Sequence, residues 1–459
     1  MIETQLEYVH HDLVELLNMF ANTENLNVKH LFSEKPDRVV NTIVINGKAF
    51  AYGNLLPKIK DDTDKKRLYK RYAKLSLYKA LSRFLDKVLP WGALTGVRPT
   101  KLAYQQLEKD GEFENFFIDV MKVSAEKTDL IKDVLENQKD IYCLDENNTD
   151  LFVFVPFCPT RCKYCSFITA DVKSARKYVD EYVDALCFEI ENSKSLIKNL
   201  RSIYIGGGTP VSLSDENLKK VLFAIDKINS GVEYTVEAGR PDVITETNLK
   251  MLKDFGVNRI CINPQTFNDK TLTLLGRQHT SNQVIEKFNL ARNDFIVNMD
   301  LIAGLPEESV EDFKYSLDTA VNLSPDNITV HTLSVKNGSY LAENTTRLPE
   351  GDVSEMVDYA RNTLKLNGYN PYYLYRQKYM AGNLENVGYS KKNKECIYNV
   401  DIMEETTDIV ACGAGAISKK VDVKNQTIER ASAPKDVKTY VEKINTIIKE
   451  KQELFGKLR

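Results

Sequence analysis

The chain has 459 residues, 42% hydrophobic and 28% charged, with a net charge of −3, which is too long for one ordinary core and reads as two or three globular domains. So balanced a charge implies no global attraction to nucleic acid, and no apolar run approaches the ~18 residues that a membrane span requires. Eight cysteines in a chain of this length, three of them in one short motif, argue against a secreted disulfide framework.

In chain order, the N-terminus M-I-E-T-Q-L-E-Y-V-H-H lacks the basic-then-apolar order of a signal peptide, so a cytoplasmic protein is expected. Residues 1–150 read as a small α+β accessory domain ending in a linker. R-V-V-N-T-I-V-I-N-G at 38–47 alternates like a strand, and 63–89 forms a long helix with a basic start: Lys65, Lys66, Arg67, Lys70, Arg71 and Lys74. A solvated helix face is the simpler explanation; a patch for RNA or a polycarboxylate is the alternative. The loop L-P-W-G-A-L-T-G-V-R-P-T-K at 89–101 holds the single tryptophan and suits an anion-binding turn or, equally, a docking loop. D-I-Y-C-L-D-E-N-N-T-D at 140–150 is the linker.

Residues 151–332 alternate strand and helix. Strands are expected at 151–155, 202–205, 233–237, 259–263, 296–302 and 328–332, with helices at 175–193, 215–229, 246–255, 282–292 and 309–321. Ser309-Val-Glu-Asp312 has the form of a capping box. Successive β/α units imply a parallel sheet, here a partial (β/α)6 barrel. Working residues of such barrels gather at the C-terminal strand ends. The cysteine motif follows the first strand, Gly206-Gly-Gly-Thr-Pro210 the second, and Glu237 ends the third. Gln265 follows the fourth, Asp300 ends the fifth and His331 the sixth. Residues 333–459 read as a C-terminal mixed α/β domain that covers the substrate, with helices at 355–366 and 436–449, an aromatic stretch at 368–375 and a small-residue stretch C-G-A-G-A-I-S at 412–418.

The motif V-P-F-C-P-T-R-C-K-Y-C-S-F places Cys158, Cys162 and Cys165 in a Cys-x3-Cys-x2-Cys spacing. Iron–sulfur clusters are held by thiolates, and a complete [4Fe–4S] set needs four. Three leave one iron open. Clustered structural thiols or a zinc site are the alternatives, but zinc motifs favour four ligands in pairs, and no second pair or neighbouring His follows. The spacing resembles that of the radical S-adenosylmethionine (SAM) superfamily, where the amino and carboxylate groups of SAM complete the fourth iron. On that footing the glycine triplet lets a ligand approach without a Cβ in the way. Glu237 suits the ammonium of SAM, Arg277 its carboxylate, and Gln265 and Asp300 the ribose hydroxyls.

The ordered set V-P-F-C-x3-C-x2-C, Y-I-G-G-G-T-P, V-E-A-G-R-P, N-P-Q-T-F, L-L-G-R, D-L-I-A-G-L-P and C-G-A-G-A-I-S, over roughly 151–420, resembles the oxygen-independent coproporphyrinogen III oxidase-like radical SAM family. The N-terminal L-P-W-G-A-L-T-G-V-R-P-T-K is similar to its HemZ-type coproporphyrinogen dehydrogenase branch. The resemblance implies a [4Fe–4S] cluster on Cys158, Cys162 and Cys165, with SAM bound by Tyr164 (near the adenine), Gly207, Gly208, Thr209, Glu237, Gln265, Arg277 and Asp300. Glu237 and Arg277 count as the catalytic pair.

It further implies oxidative decarboxylation of coproporphyrinogen III to protoporphyrinogen IX in haem biosynthesis. A low-potential donor such as flavodoxin or ferredoxin would supply electrons, and Arg376 or the Arg98 loop could meet the substrate's carboxylates. The alternatives are a haem-binding or haem-delivery protein, or a radical SAM enzyme acting on another substrate such as RNA. Two departures bear on this choice. Where the family's oxidase has Tyr-x-His before its first cysteine, this chain has Phe152 and Phe154, and Phe167 replaces a further cysteine, which bears on oxidase activity and on a second SAM. The related haem chaperones carry His-Asn-x-x-Tyr-Trp late in the chain; here Tyr398-Asn-Val-Asp-Ile-Met403 keeps only Asn399. His331 could ligate haem or move a proton, or be a satisfied barrel histidine. Cys396 and Cys412 could be redox partners or small core residues.

Overall fold

The structure, a computed structural model, describes residues 2–20, 23, 25–59, 61–96, 98–165, 170–171, 176–334, 350–377, 380–425 and 427–456. Two compact units divide the chain: 1–132 with 376–384, and 133–375 with 385–459.

In the first unit, β1 (Ile2–Thr4), β2 (Val28–Glu34), β3 (Arg38–Ile45) and β4 (Lys48–Leu55) form one sheet in that order. The alternation read at 38–47 is real: Val39, Asn41, Ile43 and Ile45 all point inward. Asn46 and Gly47, at φ 48° and 85°, close the β3–β4 hairpin as an Asn-Gly turn, which needs positive φ at both central residues. The helix Asp62–Leu85 starts where the Asp61 side chain accepts from the Asp64 N–H, and stops at Asp86, which is left-handed at φ 50°. Its basic residues are largely engaged within the unit. Lys65 pairs with Glu34 at 2.9 Å, Lys70 with Asp12 at 2.9 Å, and Lys74 reaches Thr95 at 2.8 Å. Arg71 lies over the Phe116 ring. Val97 of the tryptophan loop lies outside the described residues. Arg376, offered above to a substrate carboxylate, is 3% exposed. Its guanidinium lies 5.1 Å from the Trp91 ring and donates to the carbonyls of Leu94 and Asn383.

The second unit is built on β5 (Asn148–Val155), β8 (Asn199–Gly207), β9 (Glu233–Gly239), β10 (Arg259–Ile262), β11 (Ile296–Ala303) and β12 (Asn327–Thr332). Two short strands, β6 (Phe157–Cys158) and β7 (Ala170–Asp171), pair with each other. The remaining strands are β13 (Asn370–Tyr375), β14 (Asn386–Ser390), β15 (Asp408–Cys412), β16 (Ile417–Asp422) and β17 (Thr427–Ser432). All but β6 and β7 form one sheet in the order β13-β14-β12-β11-β10-β9-β8-β5-β15-β16-β17. The run from β12 to β15 is parallel throughout, and antiparallel pairs flank it at both ends.

The six expected strands therefore stand side by side, in the α/β fold of radical SAM proteins. Helices cross between them, and three start with the reciprocal bonds of a capping box, at Thr245, Thr280 and Ser309. The first helix is described from Arg176 to Ser193; Ala175, where it was expected to start, lies outside the described residues.

Sequence reading ended the sheet at 332, and the structure extends it. β15, which leads into the small-residue stretch at 412–418, adds a parallel strand beside β5. The Asp150 carboxylate accepts from Ser202 at 2.7 Å and from Thr407 at 3.0 Å, joining the starts of β5, β8 and β15. No helix among the described residues is long and apolar enough to cross a membrane.

Candidate functional site

The cysteine loop leaves the end of β5, and neighbouring strand ends hold it at several points. The backbone N–H of Gly208 donates to the Val155 carbonyl at 2.8 Å and that of Thr209 to the Phe157 carbonyl at 2.7 Å, so the end of β8 is tied to the loop's root. The Cys158 thiol lies 3.4 Å from the Thr209 hydroxyl. Further along, the Cys165 N–H donates to the Cys162 carbonyl at 3.0 Å, and that of Lys163 to the Leu275 carbonyl at 3.0 Å. Cys158, Cys162 and Cys165 are half-buried and form no disulfide. Phe167, read as the replacement for a further cysteine, lies outside the described residues.

Two arginines grip this loop. Arg277 donates to the Tyr164 hydroxyl at 2.8 Å and to the Asn263 carbonyl at 2.7 Å. Burial raises the Tyr164 phenol well above its ordinary range, against the pull of Arg277. The Tyr164 ring packs on Leu275, Ile302, Leu305 and Leu333. Arg240, which sequence reading missed, is 3% exposed. It donates to the Thr160 hydroxyl at 2.6 Å and carbonyl at 3.2 Å, and pairs with Asp242 at 3.0 and 2.7 Å. The Gly-Arg-Pro-Asp turn after β9 was its only sequence signal.

Because Arg240 and Asp242 form a buried pair, removing one charge strands the other, at a typical cost of about 3–5 kcal/mol. Arg240→Ala is expected to lose stability of that order in urea unfolding and to retain less iron after anaerobic reconstitution. Wild-type values in both measurements would show that the clamp is idle.

The glycines serve packing as well as access. A Cβ on Gly206 would lie 2.8 Å from the Glu237 carboxyl carbon, and one on Gly207, at φ 98°, would lie 2.5 Å from the Phe154 ring. Glu237 lies near the end of β9, before Ala238 and Gly239, and accepts a hydrogen bond from the Tyr204 hydroxyl at 2.7 Å. Burial is the main cause that pushes Glu237 up to about 7, and Asp300 adds to it; hydrogen bonds from Tyr204 and the Gly207 backbone oppose it.

Gln265 is left-handed at φ 69°, and its backbone bonds to Asp300 and Ile302 extend the sheet beyond β10. The Asp300 carboxylate accepts from Asn298 at 2.8 Å and lies 3.7 Å from His331 Nε2. Burial works to raise Asp300, but His331, Asn298 and Thr329 together hold it below the usual carboxylate range. The other ring nitrogen of His331, Nδ1, meets the Tyr375 hydroxyl at 3.2 Å. His331 is thus a partnered barrel histidine. Cys396 and Cys412 are buried away from this edge. Cys396 donates to Glu233 at 3.3 Å, and Cys412 lies 3.3 Å from the Lys451 amine.

The cysteine loop, the glycine triplet, Glu237, Gln265, Asp300 and His331 therefore lie within or just beyond the C-terminal halves of consecutive parallel strands. The donor set suits an iron–sulfur cluster with an added ligand. Among the described residues no three His, Cys, Asp or Glu side chains close on the position of a single metal ion. A four-iron cluster takes each thiolate on a different iron, so its ligands need not converge on one point. The Asn263 side-chain oxygen and Arg277 Nε, beside Tyr164, are buried with no hydrogen-bond partner, as expected of a polar site shaped for a ligand.

A model of the radical SAM superfamily matches residues 152–320. The chain is 37% identical over 400 residues to the oxygen-independent coproporphyrinogen-III oxidase-like protein HemZ of Bacillus subtilis, covering 83% of this chain and 79% of that one. It is 35% identical over 234 residues to the heme chaperone HemW of the same bacterium, covering 48% of this chain and 61% of the relative. The Escherichia coli coproporphyrinogen III oxidase HemN superposes with a TM-score of 0.54 at 22% identity, over 70% of this chain and 73% of that one. At that identity the likeness speaks for the fold.

Proposed function

The chain belongs to the HemZ- and HemN-like radical SAM family, whose chemistry uses a [4Fe–4S] cluster and SAM, and from that premise we propose that it decarboxylates coproporphyrinogen III to protoporphyrinogen IX without oxygen. Each reacting propionate becomes a vinyl group by losing a hydrogen atom from its β-carbon, carbon dioxide and one electron. A separate acceptor takes that electron, and a flavodoxin- or ferredoxin-like donor supplies the low-potential one. Bound together, cluster and SAM supply one-electron abstraction of hydrogen.

The chain's own residues bind and orient. Cys158, Cys162 and Cys165 hold iron; Gly207, Gly208 and Thr209 form the floor; Glu237 takes the ammonium of SAM; Gln265 and Asp300 take its ribose. Arg277 fixes Tyr164 beside the adenine, and its unpartnered Nε is free to meet the carboxylate of SAM. Residues 1–150 act as an accessory domain with its linker and 151–332 as the barrel, while β13 to β17, from 333–459, continue the barrel's sheet on both flanks. A reducing cytoplasm suits such a cluster.

One observation favours turnover over haem delivery. At the place where the haem chaperones carry His-Asn-x-x-Tyr-Trp, Tyr398 is 7% exposed and stacks 4.5 Å from Tyr204. Asn399 donates to the Tyr372 hydroxyl at 3.0 Å. That stretch is spent inside the barrel. Haem delivery remains the second reading because of the 35% identity to a heme chaperone. RNA gains no support, since Lys65, Lys70 and Lys74 are engaged within their own unit.

Reconstituted protein with SAM, a strong reductant and coproporphyrinogen III is expected to form the doubly decarboxylated product together with 5′-deoxyadenosine, read by mass spectrometry. SAM cleavage without that product, with stoichiometric haem binding instead, would replace this reading by the second.

A further inference from the structure

Tyr204 is two residues before the glycine triplet, on β8, and its ring packs in an aromatic cluster with Phe152 and Tyr398. It stacks on Tyr398 at 4.5 Å and 26°, and Tyr398 in turn stacks on Phe152 at 5.8 Å and 14°. From that position its hydroxyl donates to Glu237 Oε1 at 2.7 Å. Gly206, between Tyr204 and the ligand floor, is the residue whose missing Cβ leaves room for the Glu237 carboxyl. A stacked phenol, a bare glycine and a carboxylate on the adjacent strand thus meet at one point.

We propose that Tyr204 is a positioning residue that holds the Glu237 carboxylate, through its phenolic hydrogen bond, in the orientation and ionised form that an ammonium group requires. The proposal rests on the reading of this edge as the SAM site and adds to it what tunes the site. The groups that bear electrostatically on Glu237 are Tyr204 on β8, Cys261 on β10, Asp300 on β11, His331 on β12 and Tyr398 on the helix Ile397–Glu404. Of these, Tyr204 alone donates a side-chain hydrogen bond to it among the described residues.

The sign follows from the chemistry. A carboxylate attracts an ammonium only when ionised, so SAM affinity falls as pH drops through the Glu237 titration. A hydrogen bond donated to the charged form favours that form. Removing the phenolic hydroxyl therefore moves the acid limb of SAM binding to higher pH. The alkaline limb belongs to the SAM amine, which loses its proton near the ~8 of an α-amino group, and stays where it is.

The test is anaerobic equilibrium dialysis of SAM against reconstituted wild-type, Tyr204→Phe, Tyr398→Phe and Glu237→Gln proteins from pH 5.5 to 9, with iron content measured alongside. Phenylalanine keeps both stacks. In Tyr204→Phe the midpoint of the acid limb is expected to rise by about one to two pH units, the range a lost charge-assisted hydrogen bond covers, with iron content unchanged. Tyr398→Phe is expected to keep the wild-type midpoint. An unchanged midpoint in Tyr204→Phe, while Glu237→Gln loses binding, overturns the positioning role and leaves the SAM site intact. Wild-type binding by Glu237→Gln instead overturns the reading of Glu237 as the ammonium partner.

Discussion

Cys162→Ala protein, reconstituted anaerobically, is expected to lack the brown absorbance of an iron–sulfur cluster and to cleave no SAM, while folding as the wild type does. Only three thiols are offered to the iron, so losing one leaves two irons without a protein ligand. Even outer partners of a metal site typically cost about 10–100-fold when removed, and loss of a direct ligand should exceed that. The fold does not depend on this thiol. The loop's backbone is held by Lys163 N–H on the Leu275 carbonyl and Cys165 N–H on the Cys162 carbonyl, bonds that alanine keeps. Iron analysis, visible absorbance and release of 5′-deoxyadenosine measure the first part; the thermal unfolding midpoint measures the second. SAM cleavage retained in Cys162→Ala would remove the cluster from this loop and with it the central reading of the site.

Gly208→Ala is expected to do its damage through the backbone. Its Cβ would stand 2.4 Å from the Phe157 carbonyl oxygen and 2.7 Å from that of Val155. Neither oxygen is a flexible side-chain end. The Val155 carbonyl accepts from Gly208 itself and that of Phe157 from Thr209, so relief of the clash must break the bonds that tie β8 to the root of the cysteine loop. Overpacking typically costs about 1–3 kcal/mol, and loss of two buried hydrogen bonds adds about 1 kcal/mol each. Urea unfolding should show a loss on the order of 3 kcal/mol or more, and the cluster should load poorly. Gly47→Ala is the control. Its Cβ meets nothing within 4 Å, and only the left-handed backbone is strained, at roughly 1 kcal/mol. Equal stability of the two variants would mean that the glycine floor can yield.

Much of this site was legible before any coordinates. Cysteine spacing, the glycine triplet and the polar residues closing each strand sit in local order with the strands that carry them. A β-strand announces itself through its own neighbours, and a parallel barrel puts its working edge at the strands' C-terminal ends. The role of Arg277 is richer in the structure than in the sequence. It was expected on a SAM carboxylate, and it is found holding Tyr164 and the Asn263 carbonyl. Arg240 was missed because a charged residue in a turn has no pattern; only its burial against Thr160 reveals its work. The basic start of the helix Asp62–Leu85 gave a plain signal with two readings, and the structure adds that Lys65, Lys70 and Lys74 meet partners elsewhere in their unit.

By itself the sequence determined the cluster motif, the order of strand and helix through 151–332 and the capping box at Ser309, because each depends on residues within a few positions of one another. Tertiary structure alone decided that β15 joins β5, that Tyr204 reaches Glu237, that Tyr398 and Asn399 are turned into the barrel, and that Arg376 is buried against Trp91. These contacts join distant parts of the chain, 257 positions apart where Thr407 meets Asp150. The physical reason is that such pairings are selected by shape, burial and hydrogen-bond satisfaction after the chain has closed on itself, and no local periodicity records them.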